Sequence, residues 1–387
     1  MSAANFTPTS TRWSSAAAEL AYHYDWKYMY YFMMILLLAA LLMVAICFRH
    51  DRPLRRIPLR ELHVREMFVA SAGLLMLMYV LCYGKVLDWL SSPRICLYVV
   101  LGPALLVFFL RTQHRSRNPY VDLAPLRQPK ALVGYLYMMI VMFFSTSTTL
   151  LTNYMTSILQ VDATHSYTLY VWLLPGYALG AFVCFWWFRW QRWRFRFLIA
   201  GGMACFALFF GLLYFGISPG STYQSLFFPV FVRGAGMLTL IIAFALFAVE
   251  ELNPKYLICN AFFLIACRSV LAPVMAASFY GNALYRLQQK YLCSLSEHFT
   301  LTDPAAAAKY AAALDSSLAR GHGYAEAAQL ATGELYSTLQ QQSLLLALKD
   351  ILGWLFAVSL LLAVVSRFIP FHKTIRVRYA KAGDDMV

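Results

Sequence analysis

Residues 226–249 read LFFPVFVRGAGMLTLIIAFALFAV: twenty-four positions with one charge, Arg233, and no acid. As a helix this stretch rises about 36 Å, enough to cross a hydrocarbon core roughly 30 Å thick. It offers no recurring polar face of the kind a surface helix of a soluble domain carries. A backbone in lipid has to satisfy its own hydrogen bonds, so the stretch is a transmembrane helix.

Outward from it, the same reading gives further apolar runs at Met29–Phe48, Met67–Tyr83, Ile95–Leu110, Leu132–Leu151, Leu169–Phe188, Phe197–Ile217, Leu257–Phe279 and Leu344–Val365. The chain of 387 residues is therefore read as an all-α polytopic membrane protein with about nine transmembrane helices. Hydrophobic residues make up 61% and charged residues 13%, far below the charged share of soluble domains, which excludes a soluble fold. Ile95–Leu110 is short and carries Gly102-Pro103, and the last run contains Lys349-Asp350.

The net charge of +14 acquires its meaning from placement. Segments 49–66, 111–130, 189–196, 249–256 and 367–387 hold twenty-one Lys and Arg, whereas the alternate set of segments holds nine. By the positive-inside rule the first set is cytoplasmic, so the tail 1–28 lies outside and the basic tail 367–387 inside. The Arg189–Arg196 segment interleaves bases with aromatics, but between two apolar runs it reads as an interfacial anchor, and no nucleic-acid partner is expected. Seven of eight cysteines lie in apolar runs with no CxxC spacing, so neither a disulfide framework nor a metal site is expected. No cofactor is implied.

The long outer segment 281–343 has helix start and stop signals, Thr302-Asp303-Pro304 before an Ala-rich run and Gly321 after it, with a second helical stretch from Tyr324 to Gln342. It is expected to form an extracytoplasmic helical hairpin, either packed on the outer mouth or docking a partner such as a periplasmic adaptor or sister subunit. The last helix then spans 344–366.

None of the eighteen acids falls in the middle of a span, and all eight histidines lie in loops or tails. The chain thus lacks the buried titratable group that proton-driven pumps place at membrane depth. No His/Asp/Glu cluster has catalytic spacing at a membrane face, so no enzymatic activity is expected. Arg233 and Arg268 are the intramembrane charges, and a guanidinium there faces a cavity or a partner. Two readings apply to each: a substrate or gating role, or donation to helix-end carbonyls and to polar groups of neighbouring spans. Asn153, Gln160 and Tyr177 join them as candidates along the pathway near the outer halves of adjacent spans. Pro175, Gly176, Gly180, Gly234 and Gly236 read as packing or bending positions, Gly176 and Gly180 having small-xxx-small spacing.

Several motifs together resemble the fourteen-span drug:proton antiporter branch of the major facilitator superfamily. They are Asp25-Trp26-Lys27-Tyr28-Met29-Tyr30, the basic stretch Arg52–Leu59, Asn118-Pro119-Tyr120-Val121-Asp122-Leu123, Ile158-Leu159-Gln160 with Leu173-Leu174-Pro175-Gly176, and Arg233-Gly234-Ala235-Gly236-Met237. The resemblance runs from about Asp25 to Val365. It implies a partial major facilitator fold: helix 29–48 as the last of the N-terminal bundle, 49–110 as the cytoplasmic basic loop with two linker helices, and 111–131 as a cytoplasmic loop. Residues 132–280 would be the first five helices of a complete C-terminal six-helix bundle, and 344–366 the sixth. The family's first five spans and their acids have no counterpart here. The resemblance implies efflux of an amphipathic small molecule, driven by protons if the missing half is supplied. It also implies a bacterial inner-membrane location.

Overall fold

The computed structural model describes residues 26–47, 64–84, 86–87, 89–115, 122–161, 169, 171–190, 195–249, 256–298 and 304–368. The tail 1–25, the Arg52–Leu59 stretch, Asn118-Pro119-Tyr120, the Glu250-Glu251 pair and the tail beyond Phe368 lie outside the described residues. Among the described residues there is no strand.

The longer helices are α1 (Trp26–Cys47), α2 (Val64–Tyr83), α3 (Pro93–Arg115), α4 (Pro129–Ser145), α5 (Thr148–Ser157), α6 (Leu173–Trp190), α7 (Phe195–Gly216), α8 (Phe227–Val249), α9 (Leu257–Ile265), α10 (Ala272–His298), α11 (Pro304–Ala319) and α12 (Tyr324–Phe368). Among the described residues, seven stretches are long and apolar enough to cross a membrane: Arg65–Tyr83, Pro93–Arg115, Pro129–Ser157, Phe195–Gly216, Tyr223–Ala248, Cys259–Glu297 and Tyr324–Phe368. The chain is an all-helical integral membrane protein. The two other expected spans coincide with α1 and α6, helices of 22 and 18 residues.

In the bundle from α4 onward, α8 touches α4, α6 and α7, while α7 and α10 both lie against α12. Lipid tails are as apolar as leucine, so burial of apolar surface does not hold such a bundle together; close packing does. Its centre is aromatic: Phe144 meets Phe206 and Phe210 at ring-centroid distances of 5.7 and 5.5 Å, and Tyr137 stacks on Phe244 at 4.9 Å. Helices α2 and α3 form a separate pair resting on α10. Most described side chains of α1 are exposed, Met33 at 57% and Leu37 at 71%.

Three expected boundaries meet a different local structure. The run Leu132–Leu151 breaks at Thr146-Ser147 into α4 and α5. Ser145, Thr146, Ser147, Thr148 and Thr149 are consecutive, and such hydroxyls bond back to the carbonyls three or four residues earlier and bend helices. Thr146 donates to the Met142 carbonyl at 2.9 Å and Thr148 to that of Ser145 at 3.3 Å. The run Leu257–Phe279 contains a π-helical turn, Ala266–Leu271, that carries Arg268.

The outer segment 281–343 does not begin or end at a helix boundary. Helix α10 continues past Phe279 to His298, and α12 runs from Tyr324 through the expected start of the last span to Phe368. At 45 residues α12 is about 68 Å long, roughly twice what a bilayer core requires. Among the described residues of this segment, α11, packed on α12, is the one separate helix. Its buried Ala306 and Ala313, with Ala327 and Ala331 of α12, are small enough for close helix approach.

Candidate functional site

The break between α4 and α5 leaves the last carbonyls of α4 without their helical donors, at the negative end of the helix dipole. Two residues distant in sequence supply donors. The Arg233 guanidinium, on α8, donates to the Ser145 carbonyl at 2.8 Å and to its hydroxyl at 3.3 Å. The Tyr280 hydroxyl, on α10, donates to the Phe143 carbonyl at 2.9 Å. Both side chains are buried, Arg233 being 4% exposed. The Arg233 guanidinium also lies over the Phe209 ring, 5.7 Å from its centroid.

A second layer extends the cluster. Ser145 donates its hydroxyl to the Met237 sulfur at 3.2 Å, and the Tyr177 hydroxyl reaches the same sulfur at 3.3 Å. Ser147, buried beside them, has a hydroxyl with no hydrogen-bond partner among the described residues. The broken helix, Arg233, Tyr280, Met237 and Tyr177 therefore form one polar cluster inside an apolar bundle.

The glycines of α8 place Arg233 there. A methyl on Gly176 would overlap the Phe231 carbonyl oxygen, one on Gly234 would lie 2.6 Å from the Leu173 carbonyl oxygen, and one on Gly180 2.6 Å from that of Ala235. Gly234 thus presses α8 against α6. Two residues on, a methyl on Gly236 would fall 2.7 Å from Cys205 Cβ on α7. With α8 wedged between α6 and α7 by glycines on opposite faces, Arg233 is aimed at the α4 break. Pro175 sits in the first turn of α6, where its missing N–H removes no helical bond.

The other sequence candidates lie apart. Arg268 is exposed on its π-helical turn. Asn153 is exposed and lines a cavity of about 460 Å³ with Ser157, Gln288, Ser337, Gln340 and Gln341. Gln160 is exposed with φ +51, in the left-handed region that few side chains other than glycine adopt. Of the five pathway candidates, Arg233 and Tyr177 meet in one cluster; Asn153 and Gln160 do not join it.

The sequence reading passed over Ser145 and Tyr280 and named Met237 only as the last residue of a motif. The Ser/Thr run 145–149 was a usable signal for the break, whereas nothing near Tyr280 marks it as the donor to a carbonyl 137 residues earlier. No protein-family model matches the chain, and no curated protein matches it.

Proposed function

We propose that the chain is the C-terminal half of a major facilitator transporter that exports amphipathic, drug-like compounds by proton antiport. In this reading α1 closes an N-terminal bundle, α2 and α3 are linker helices, and α4 to α12 contribute the six spans of the second bundle, nine in all. The observation that carries it is the buried Arg233 at a helix interrupted inside the bundle. Interrupted helices whose exposed ends meet charges are how transporters build midplane sites within packed apolar surroundings. Alternating access needs two bundles rocking about such a site, so the proposal assigns the proton-carrying acids to the other bundle.

Deleting the gene from its host and following ethidium retention tests the reading with every natural partner present. Several-fold higher retention, restored by the wild-type gene but not by Arg233→Ala, is the expected result. Unchanged retention after deletion counts against it.

A second reading, a non-transporting scaffold, draws on the built outer extension. Tyr291 of α10 donates to Asp350 Oδ2 of α12 at 2.5 Å, and α11 packs on α12, giving a firm surface for a periplasmic adaptor or sister subunit. Removing α11 separates the two readings. Loss of co-purifying protein with efflux intact favours the scaffold role; loss of efflux in a folded variant favours the transporter.

A further inference from the structure

Helix α10 carries two neighbouring stripes with different chemistry. Met275, Phe279, Ala283 and Leu287, four residues apart, line an apolar cavity of about 730 Å³ whose other walls come from α4 and α12. Ser278, Asn282 and Arg286, also four apart, line a second cavity of about 480 Å³ that shares Phe143, Met275, Phe279 and Ala283 with the first. The two adjoin along α10 as a groove with an apolar side and a polar, cationic side. Each part falls within the size range of ligand sites.

The polar end is shaped by Trp89. Its backbone is held at φ +51, its N–H donates to the Gly84 carbonyl at 2.7 Å, and a methyl on Gly84 would come within 2.8 Å of its ring. A non-glycine residue kept in this strained conformation at a cavity rim is overdetermined by its surroundings, as at ligand clamps. Arg286 lies seven residues, about 10 Å along the helix, beyond Phe279, the expected end of the apolar run, and that expectation puts it at headgroup depth. Among the described residues no carboxylate forms an ion pair with it.

We propose that this groove binds one anionic phospholipid of the bilayer, with an acyl chain in the apolar cavity and the phosphate against Arg286, beside Asn282 and Trp89. The site stands independently of the transport reading. Charge complementarity selects the occupant: a cation at headgroup depth, next to an apolar slot open at membrane depth, matches a phosphate carrying an acyl chain.

Native mass spectrometry of the full chain released from micelles tests this, with phosphatidylglycerol and phosphatidylcholine of identical acyl chains as probes. Retention of one phosphatidylglycerol is expected, with a preference of about fivefold over phosphatidylcholine, the factor one arginine contributes near anionic headgroups. Arg286→Gln should abolish the preference, and Ala283→Trp, which fills the junction of the two cavities, should lower retention of both lipids. Arg286 is exposed, so its variant tests the headgroup assignment even if the tryptophan variant fails to fold. An unchanged preference in Arg286→Gln overturns the proposal, as does full retention by a folded Ala283→Trp. Displacement of phosphatidylglycerol by an equimolar amount of laurate also overturns it, in favour of a free amphipathic acid.

Discussion

Arg233 donates to the backbone carbonyl of Ser145 at 2.8 Å, closing the end of a helix that stops inside the bundle. A guanidinium there supplies hydrogen bonds that the chain break removes and places positive charge at the negative end of the α4 dipole. Arg233→Ala leaves the half-buried Ser145 carbonyl with the longer bond from Thr148 and opens a hole beside Phe209. The expected loss is about 2 kcal/mol of stability, within the range for hydrogen bonds to charged groups. Thermal unfolding in detergent should show a clear fall for Arg233→Ala and a smaller one for Arg233→Lys, whose single ammonium cannot reproduce the fork. Equal melting of all three proteins would show that the contact is idle.

The glycine contacts predict a sharp contrast between positions of the same residue type. Gly176→Ala and Gly234→Ala force α6 and α8 apart at backbone atoms, which cannot swing away as a side chain can, and should cost about 1–3 kcal/mol each. Gly201→Ala, on α7 with open space around it, should be neutral or slightly stabilising because alanine favours the helix. The comparison is read from the fraction of folded, monodisperse protein after heating. If Gly201→Ala falls as far as Gly234→Ala, the wedge account of α8 fails.

Arg268 separates structural from functional arginine roles. Being exposed on the π-helical turn, it makes no buried bond whose loss would unfold the bundle, so Arg268→Ala should melt with the parent. As an exposed intramembrane charge it is a pathway candidate that can be removed without disturbing buried contacts, so under the transport proposal ethidium export in the natural host should fall several-fold. A large drop in melting temperature for Arg268→Ala would place it instead among the packing residues.

Helix α12 continues without interruption across the expected hairpin boundary near residue 343. Hydrogen exchange across 336–350 should therefore show continuous protection, strongest from the buried Ser343 inward. A fast-exchanging stretch between Gln340 and Leu345 would reveal a hinge where the structure has a helix.

The spans were legible because their signal is compositional: twenty or so apolar positions leave little choice in lipid. Interruptions were not, since a hydropathy window averages the Ser/Thr run 145–149 into its apolar flanks. In the outer segment the starts at Pro304 and Tyr324 and the stop before Gly321 were legible, whereas the continuity of the helix across residue 343 was not. Residues 324–343 are good helix formers, so α12 does not stop where the bilayer does. Arg233 was legible as a costly charge, but its partner is a backbone carbonyl 88 residues away, which no side-chain pattern announces. Arg268 shows the converse limit. Depth along a span can be counted from sequence, whereas the face a residue occupies depends on how neighbouring helices pack.

The central claim is that this chain supplies one bundle of a proton-coupled exporter in which Arg233 holds the broken helix. Its most direct test is ethidium transport in proteoliposomes that carry the chain as purified from its host together with any co-purifying subunits, under an imposed proton gradient. The account predicts dye movement that follows the gradient, stops when an ionophore collapses it, and falls at least about tenfold in Arg233→Ala, the rate equivalent of the lost charged hydrogen bond. Dye movement indifferent to the gradient, or equal in the wild type and Arg233→Ala, would contradict it.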